Sequence, residues 1–257
     1  MTLTNRKIDE YISLGLETGL FEKSQKDTIK SRVANVEIRE IKGSTVPTYN
    51  ACSTVDGNRL LIVNTDKCSP IEADEDIFRE LSTLVNDIHR DLYVYNNSRI
   101  IEFKDRYKDY FVGNPLLRYP EWGMILLDKV ISEYTAKVLV DKKYDLGGED
   151  LEEYSSKYLD NPKDQYYLAN KFSKTIYSGK NSLKKLCIAA YRDCAVDTIL
   201  CKYCDRENGM YKLYEILANM GNVALSNHKG RVPDSFINTE ESNIENSIKY
   251  IKGIKMD

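Results

Sequence analysis

The chain has 257 residues, of which 42% are hydrophobic and 30% charged. That balance excludes a disordered chain and is enough for one core, or for two lobes sharing a cleft. A net charge of −3 argues against a general nucleic-acid binder, which carries a basic excess, and no apolar run is long enough to span a bilayer.

The opening stretch MTLTNRKIDEYISLGLETGLF is amphipathic and contains acids, the character of a helix rather than of a secretory leader. The expectation is a soluble cytoplasmic protein with no nucleic-acid and no membrane partner. Ile8, Ile12, Leu16 and Leu20 repeat near the helical period and predict a helix over 5–21, with a second, shorter one over 24–33. VEIREI (36–41) alternates like a strand. TYNACS (48–53) continues an extended reading after Pro47, and TVDGN (54–58) carries an Asp-Gly turn signal. RLLIVN (59–64) is an apolar strand. Residues 35–65 therefore predict a small antiparallel sheet of about three strands.

Beyond Pro70 the pattern turns helical. Ile77, Phe78, Leu81, Leu84, Val85, Ile88 and Leu92 mark one face of a helix over 74–92. Residues 98–110 carry a weaker helical pattern, and GNPLLRYPEWG (113–123), with two prolines, predicts a loop. Residues 122–140 are apolar nearly all round, which predicts a central helix, and DLGG (145–148) breaks it. Further helices are expected at 162–177, 181–204, 209–224 and 239–252. The fold class is thus α+β and mainly helical: a small antiparallel sheet plus a long helix, then a helical C-terminal half. The expected division is an N-terminal lobe over 1–112 and a helical C-terminal lobe over 113–257.

Six cysteines are present, and Cys187, Cys194, Cys201 and Cys204 follow one another at spacings of 7, 7 and 3. The spacing is helical, so these read as buried core thiols. The CxxC formed by Cys201 and Cys204 leaves a metal or redox site as the alternative, although a thioredoxin-type CxxC opens a helix and this one closes a helical pattern.

Three stretches in this order resemble the gluzincin metallopeptidases. YNACSTVDGNRLLIV (49–63) is similar to the strand pair ahead of the zinc helix. IFRELSTLVNDIH (77–89) resembles the zinc helix itself, with RELST (79–83) where the family has HExxH. LLDKVISEYTA (126–136) resembles the downstream helix that supplies the third ligand. The resemblance covers roughly residues 36–220 and implies a zincin-like fold.

The departures from the motif decide what that fold can do. Two histidines one helical turn apart bind one zinc, and the glutamate between them activates its water. Here the two histidine positions are Arg79 and Thr83, and the third-ligand glutamate is Lys129; Glu80 and Glu133 keep the family's acids. Arginine and lysine are cations without a free lone pair, so neither replaces a ligand. The only two histidines, His89 and His228, lie far apart in sequence. No metal, no other cofactor and no zinc-peptidase activity are expected.

The resemblance implies instead a pseudo-metallopeptidase that binds a protein or peptide. The extended ligand would lie along the edge strand formed by Tyr49, Asn50, Ala51, Cys52, Ser53 and Thr54. It also predicts that Arg79 and Lys129 replace the metal as partners of Glu80 and Glu133, with Glu80 and Lys129 paired across the two helices. Against this stands the plain reading that Arg79 and Thr83 lie opposite the apolar stripe and are solvated. Two rivals remain open: a non-metal hydrolase using Glu80 and Glu133 or a Cys–His pair, and an interaction protein of unrelated helical fold.

Overall fold

The computed structural model describes residues 2–42, 52–55, 58–64, 66, 68–86, 120–147, 165–193 and 216–221. Over these the chain is mainly helical, with one three-stranded sheet. Helix α1 spans Leu3–Glu17, and Thr2 caps it by accepting the Asn5 N–H through its side chain. It stops four residues short of the expected end. Thr18 turns its hydroxyl back onto the Leu14 carbonyl at 2.9 Å, and Gly19 takes a φ of +70°. The chain then folds Phe21 over Gly15, where a Cβ would fall 1.9 Å from the ring. A short 3₁₀ turn, Lys23–Gln25, leads into α2, Lys26–Arg32.

Strands β1 (Val36–Ile41), β2 (Cys52–Val55) and β3 (Asn58–Asn64) form a sheet in the order β1-β3-β2. The wholly antiparallel sheet expected from the sequence is corrected here. β2 and β3 pair antiparallel as a hairpin, but β1 runs parallel to β3, with Val36 opposite Arg59. The hairpin reverses the chain before β3, so β3 regains the direction of β1 and pairs on the side away from β2. The Ile38 N–H donates to Thr4 Oγ1 at 2.9 Å, which ties β1 to the first turn of α1.

Helix α3 runs over Pro70–Asn86 and opens earlier than its apolar stripe indicates. Ser69 and Glu72 form a reciprocal capping box, the Ser69 N–H donating to Glu72 Oε2 at 2.7 Å and the Glu72 N–H to Ser69 Oγ at 3.2 Å. Pro70 fills the first helical position, where no N–H is needed. Residues 87–92 of the expected helix lie outside the described residues.

Helix α4, Pro120–Tyr144, is the central helix expected, extended at both ends. It closes at Asp145 (φ 50°) and Gly147 (φ 66°), the break read from DLGG. Helix α5, Gln165–Ile176, and helix α6, Ser182–Asp193, form a hairpin whose inner serines, Ser173 and Ser182, meet at 2.9 Å. Residues 216–221 are helical. The helices expected at 98–110 and 239–252, the loop over 113–119, and the remainder of 194–215 lie outside the described residues. So does the expected lobe boundary near 112. Buried side chains from both sides of it join one core cluster running from Ile8 to Met220.

Two contacts fix how these elements pack. Tyr11, Phe21, Phe78 and Tyr191 form a chain of ring contacts at 4.8–6.0 Å that joins α1, α3 and α6. At the other contact the buried Asp74 of α3 accepts hydrogen bonds from Lys7 of α1 and from Lys143 and Tyr144 of α4, the last at 2.7 Å. Glu10 pairs with Lys143 at 2.6 Å and completes the network. Burial pushes the Asp74 carboxyl up, but the Lys143, Lys7 and Tyr144 hydrogen bonds outweigh it and hold it below the ordinary value. Burial likewise pulls Lys143 down, and the bonds to Asp74 and Glu10 outweigh that and raise it. Among the described residues no helix is long and apolar enough to cross a membrane.

This packing can be tested through stability. Asp74→Asn leaves Lys7 and Lys143 without their buried counter-charge, and should cost about 3 kcal/mol in urea unfolding at pH 7. The depressed Asp74 value places its contribution above the unfolded carboxyl value of 3.8, with progressive loss as pH falls below it. The raised Lys143 value keeps that lysine's part until strongly alkaline pH. The difference between wild type and Asp74→Asn should therefore shrink on acidification; a constant gap from pH 7 to pH 2 would refute the network. Gly123→Ala should cost about 1–3 kcal/mol, because the new Cβ would lie 2.0 Å from the Leu217 backbone oxygen, which has no rotamer with which to yield. A denaturation midpoint equal to wild type would show that the two segments do not approach.

Candidate functional site

α3 and α4 make the most extensive helix–helix contact among the described elements. The positions that the resemblance singles out lie along it. Thr83 is buried, not solvated, and its Oγ1 is hydrogen bonded to the Arg79 carbonyl and to Ser132 Oγ on α4, each at 3.1 Å. Ser132 sits three residues past Lys129 and one before Glu133, so α4 brings the matching motif against the matching turn of α3. The plain reading of Thr83 as a surface residue is corrected: its stripe faces a second buried helix.

The two cations do not bridge the helices as expected. Arg79 binds Asp76 and lies 3.8 Å from Glu80, both on its own helix. Lys129 is 58% exposed and reaches Glu133 on its own helix at 3.8 Å. Asp76–Arg79 and Lys129–Glu133 are three and four residues apart, the spacings at which side chains on one helix meet. Glu133 also accepts a hydrogen bond from the Tyr166 hydroxyl of α5. The expected Glu80–Lys129 pairing thus gives way to intrahelical pairs, with Thr83–Ser132 making the contact between helices.

The strongest electrostatic feature is a residue that the motif comparison does not single out. Asp128 is buried in the same interface, and its carboxyl is pushed well above the ordinary value by burial and by the charge of Glu80, with the neighbouring Asn86 amide working the other way. Among the described residues, Asp128 Oδ1 and both polar atoms of the Asn86 side chain have no hydrogen-bond partner of ordinary geometry. Glu75, one turn before Arg79, is also raised by burial, against the opposing charges of Lys137 and Arg79. The available signal is the pair Asp128 and Ser132, four residues apart inside the apolar run LLDKVIS.

These groups do not fit zinc. Arg79 and Lys129 are cations, the Thr83 hydroxyl is engaged, and among the described residues no group of three or more His, Cys, Asp or Glu is arranged to hold a metal ion.

Of the edge-strand positions, Cys52, Ser53 and Thr54 lie in β2, at one edge of the described sheet; Tyr49, Asn50 and Ala51 lie outside the described residues. Cys187 is a buried thiol pushed far up by burial, in keeping with its helical face, and Cys68 is half-buried. Cys194, Cys201, Cys204, His89 and His228 lie outside the described residues, and with them the CxxC and any Cys–His pair.

Asp128→Asn supplies the test of this interface. A carboxyl raised in the folded state binds its proton more tightly there, so folding stability falls as pH rises from the unfolded value of 3.8 towards the folded one. Asp128→Asn should remove that decline and be at least as stable as wild type at pH 7. A large loss of stability at pH 7 would mean that Asp128 is an ionised, paired group. Compared with protein-family models, with curated proteins and with solved structures, the chain matches none.

Proposed function

We propose that this chain is a degenerate, zincin-like protein that has lost its metal and its peptidase activity and works by binding a protein or peptide. The observation that carries this reading is the pairing of α3 with α4. The RELST turn and the DKVISE turn face one another, as the two ligand helices of a gluzincin would. Hydroxyls and intrahelical ion pairs occupy the positions where the family has its zinc ligands. The sheet adds support, because the strand two elements before α3 is an antiparallel edge, the element on which gluzincins lay an extended peptide.

An added strand needs outward backbone donors and acceptors, not a metal. Val55 pairs with Asn58 across a two-residue connection, and hydrogen-bonded and non-bonded pairs alternate along an antiparallel ladder. That alternation directs the N–H and C=O of Thr54 away from β3, and those of Ser53 towards it.

Two measurements test the proposal. Metal analysis of the purified protein after mild chelation should find zinc well below one per chain. Stoichiometric zinc that vanishes on replacing Glu80 or Glu133 would sink the pseudoenzyme reading. Peptides selected from a random displayed library against the wild-type chain should lose affinity about tenfold or more to Thr54→Pro, which removes an outward donor but is tolerated at a sheet edge. Equal binding by Thr54→Pro and wild type would move the site away from β2.

A further inference from the structure

The net charge of −3 hides a strong local asymmetry. The hairpin 165–193 carries six lysines and arginines (Lys171, Lys174, Lys180, Lys184, Lys185 and Arg192) against one acid, Asp193. Six minus one gives +5 over this hairpin, so with −3 for the whole chain the remaining residues sum to −8.

The hairpin sorts these charges by face. α5 and α6 bury Leu168, Phe172, Leu183, Leu186, Cys187 and Tyr191 in the core. Lys184 is turned inward, donating to the Thr18 carbonyl at the end of α1. The other five cations are exposed. On α5 Lys171 and Lys174 follow Tyr167 at four and seven residues, one stripe of the helix. On α6 Lys185 and Arg192 are seven residues apart on the outer stripe, and Lys180 stands at the turn between the helices. A twelve-residue helix is about 18 Å long, so this outer face is roughly that long and carries five exposed cations.

We infer that the outer face of the α5–α6 hairpin, through Lys171, Lys174, Lys180, Lys185 and Arg192, is a docking surface for the phosphate backbone of a nucleic acid. The chemistry of the face favours this partner over an acidic protein. A protein interface needs a desolvated apolar centre, and among the described residues the only large hydrophobic side chain that is exposed is Leu146, which is outside the hairpin. What the face offers is cations with the polar groups of Thr175, Ser178 and Asn181 near the turn, the groups that contact phosphate and sugar without reading sequence. The site is separate from β2 and stands or falls independently of the peptide-binding proposal.

The probes are a fluorescein-labelled DNA duplex of random sequence and a hairpin RNA, titrated with the full chain by anisotropy at low salt. Binding to the duplex should weaken with salt at a slope of log K on log salt of roughly −4, the value for four to five neutralised phosphates. Lys171→Glu/Lys174→Glu should weaken binding about tenfold or more and make the slope shallower by about 2. Lys23→Glu/Lys26→Glu makes the same charge change at exposed positions on the other side of the sequence and should leave affinity and slope unchanged. If the first variant melts below wild type, Lys171→Gln/Lys185→Gln takes its place. Failure of both probes to bind at low salt would overturn the inference, as would an equal loss in the Lys23/Lys26 variant. Competition by polyglutamate as effective as by duplex DNA at equal charge would also overturn it, in favour of an acidic protein partner.

Discussion

The rest of the structure depends on one buried carboxylate. Asp74 lies near the start of α3 and takes both its oxygens to ammonium groups, Lys7 on α1 and Lys143 near the end of α4. A carboxylate with no partner in such a place would either take up a proton or oppose folding. The network therefore admits one arrangement of three helices, because only there do both lysines reach Asp74 together. It also fixes α3 antiparallel to α4. Nine residues along α3 from Asp74 is Thr83, and eleven back along α4 from Lys143 is Ser132, which are advances of about 14 and 16 Å. Those two hydroxyls meet at 3.1 Å. The contact at one end of the helix pair thus determines which residues face one another at the other.

The two ends of this interface treat charge differently. Around Asp74 each carboxylate oxygen has a cationic donor, and the pair of lysines holds the group ionised. At Asp128 no cation among the described residues offsets the same burial, Glu80 adds a like charge, and the group is driven towards its neutral form. Lys129 follows Asp128 and Arg79 precedes Glu80 in sequence, but both cations are committed to acids on their own helices. A bridge from the exposed Lys129 ammonium into the interface would have to shed water that the short reach to Glu133 lets it keep. The energetics favour pairs at the rim and hydroxyls at the centre, which is why the sequence expectation of cations crossing between the helices does not hold.

Much of the fold is legible in the sequence because single elements have strong local signals. The alternation of VEIREI marks the bounds of β1, and the apolar stripe of Ile77, Phe78, Leu81, Leu84 and Val85 marks the face of α3. The start of α3 escapes that reading because its signal is not periodic: Ser69, Pro70 and Glu72 are capping chemistry ahead of the first core residue. The direction of β1 escapes it for another reason. Alternation shows that a strand has two faces, but parallel pairing depends on which side of β3 remains open after the β2 hairpin has formed. The candidate site is legible as positions and not as contacts. Arg79, Glu80, Thr83, Lys129 and Glu133 do lie along one helix pair, yet the parts played by Asp128, Ser132 and Tyr166 emerge only from the packing.

That difference bears on how, under the proposed function, a metal site can be lost without losing its fold. In a gluzincin the zinc joins the two helices by coordination, so removing it deletes a tie between them. Here a hydroxyl pair makes a direct hydrogen bond at the same level, while the Asp74 network and the apolar residues Leu127, Val130 and Ile131 hold the helices from either side. A net contribution of about 1 kcal/mol from one such hydrogen bond is far below that of a structural zinc. It suffices because apolar burial and the Asp74 network supply most of the stabilisation between the two helices. Under that arrangement substitutions at 79, 83 and 129 are tolerated provided they leave no unpaired buried charge, and Arg79, Thr83 and Lys129 all meet that condition. Under the proposed function the constraint that remains is on shape: the edge of the sheet and the face of α3 need keep only their geometry, the condition under which a peptidase scaffold can be retained for binding alone.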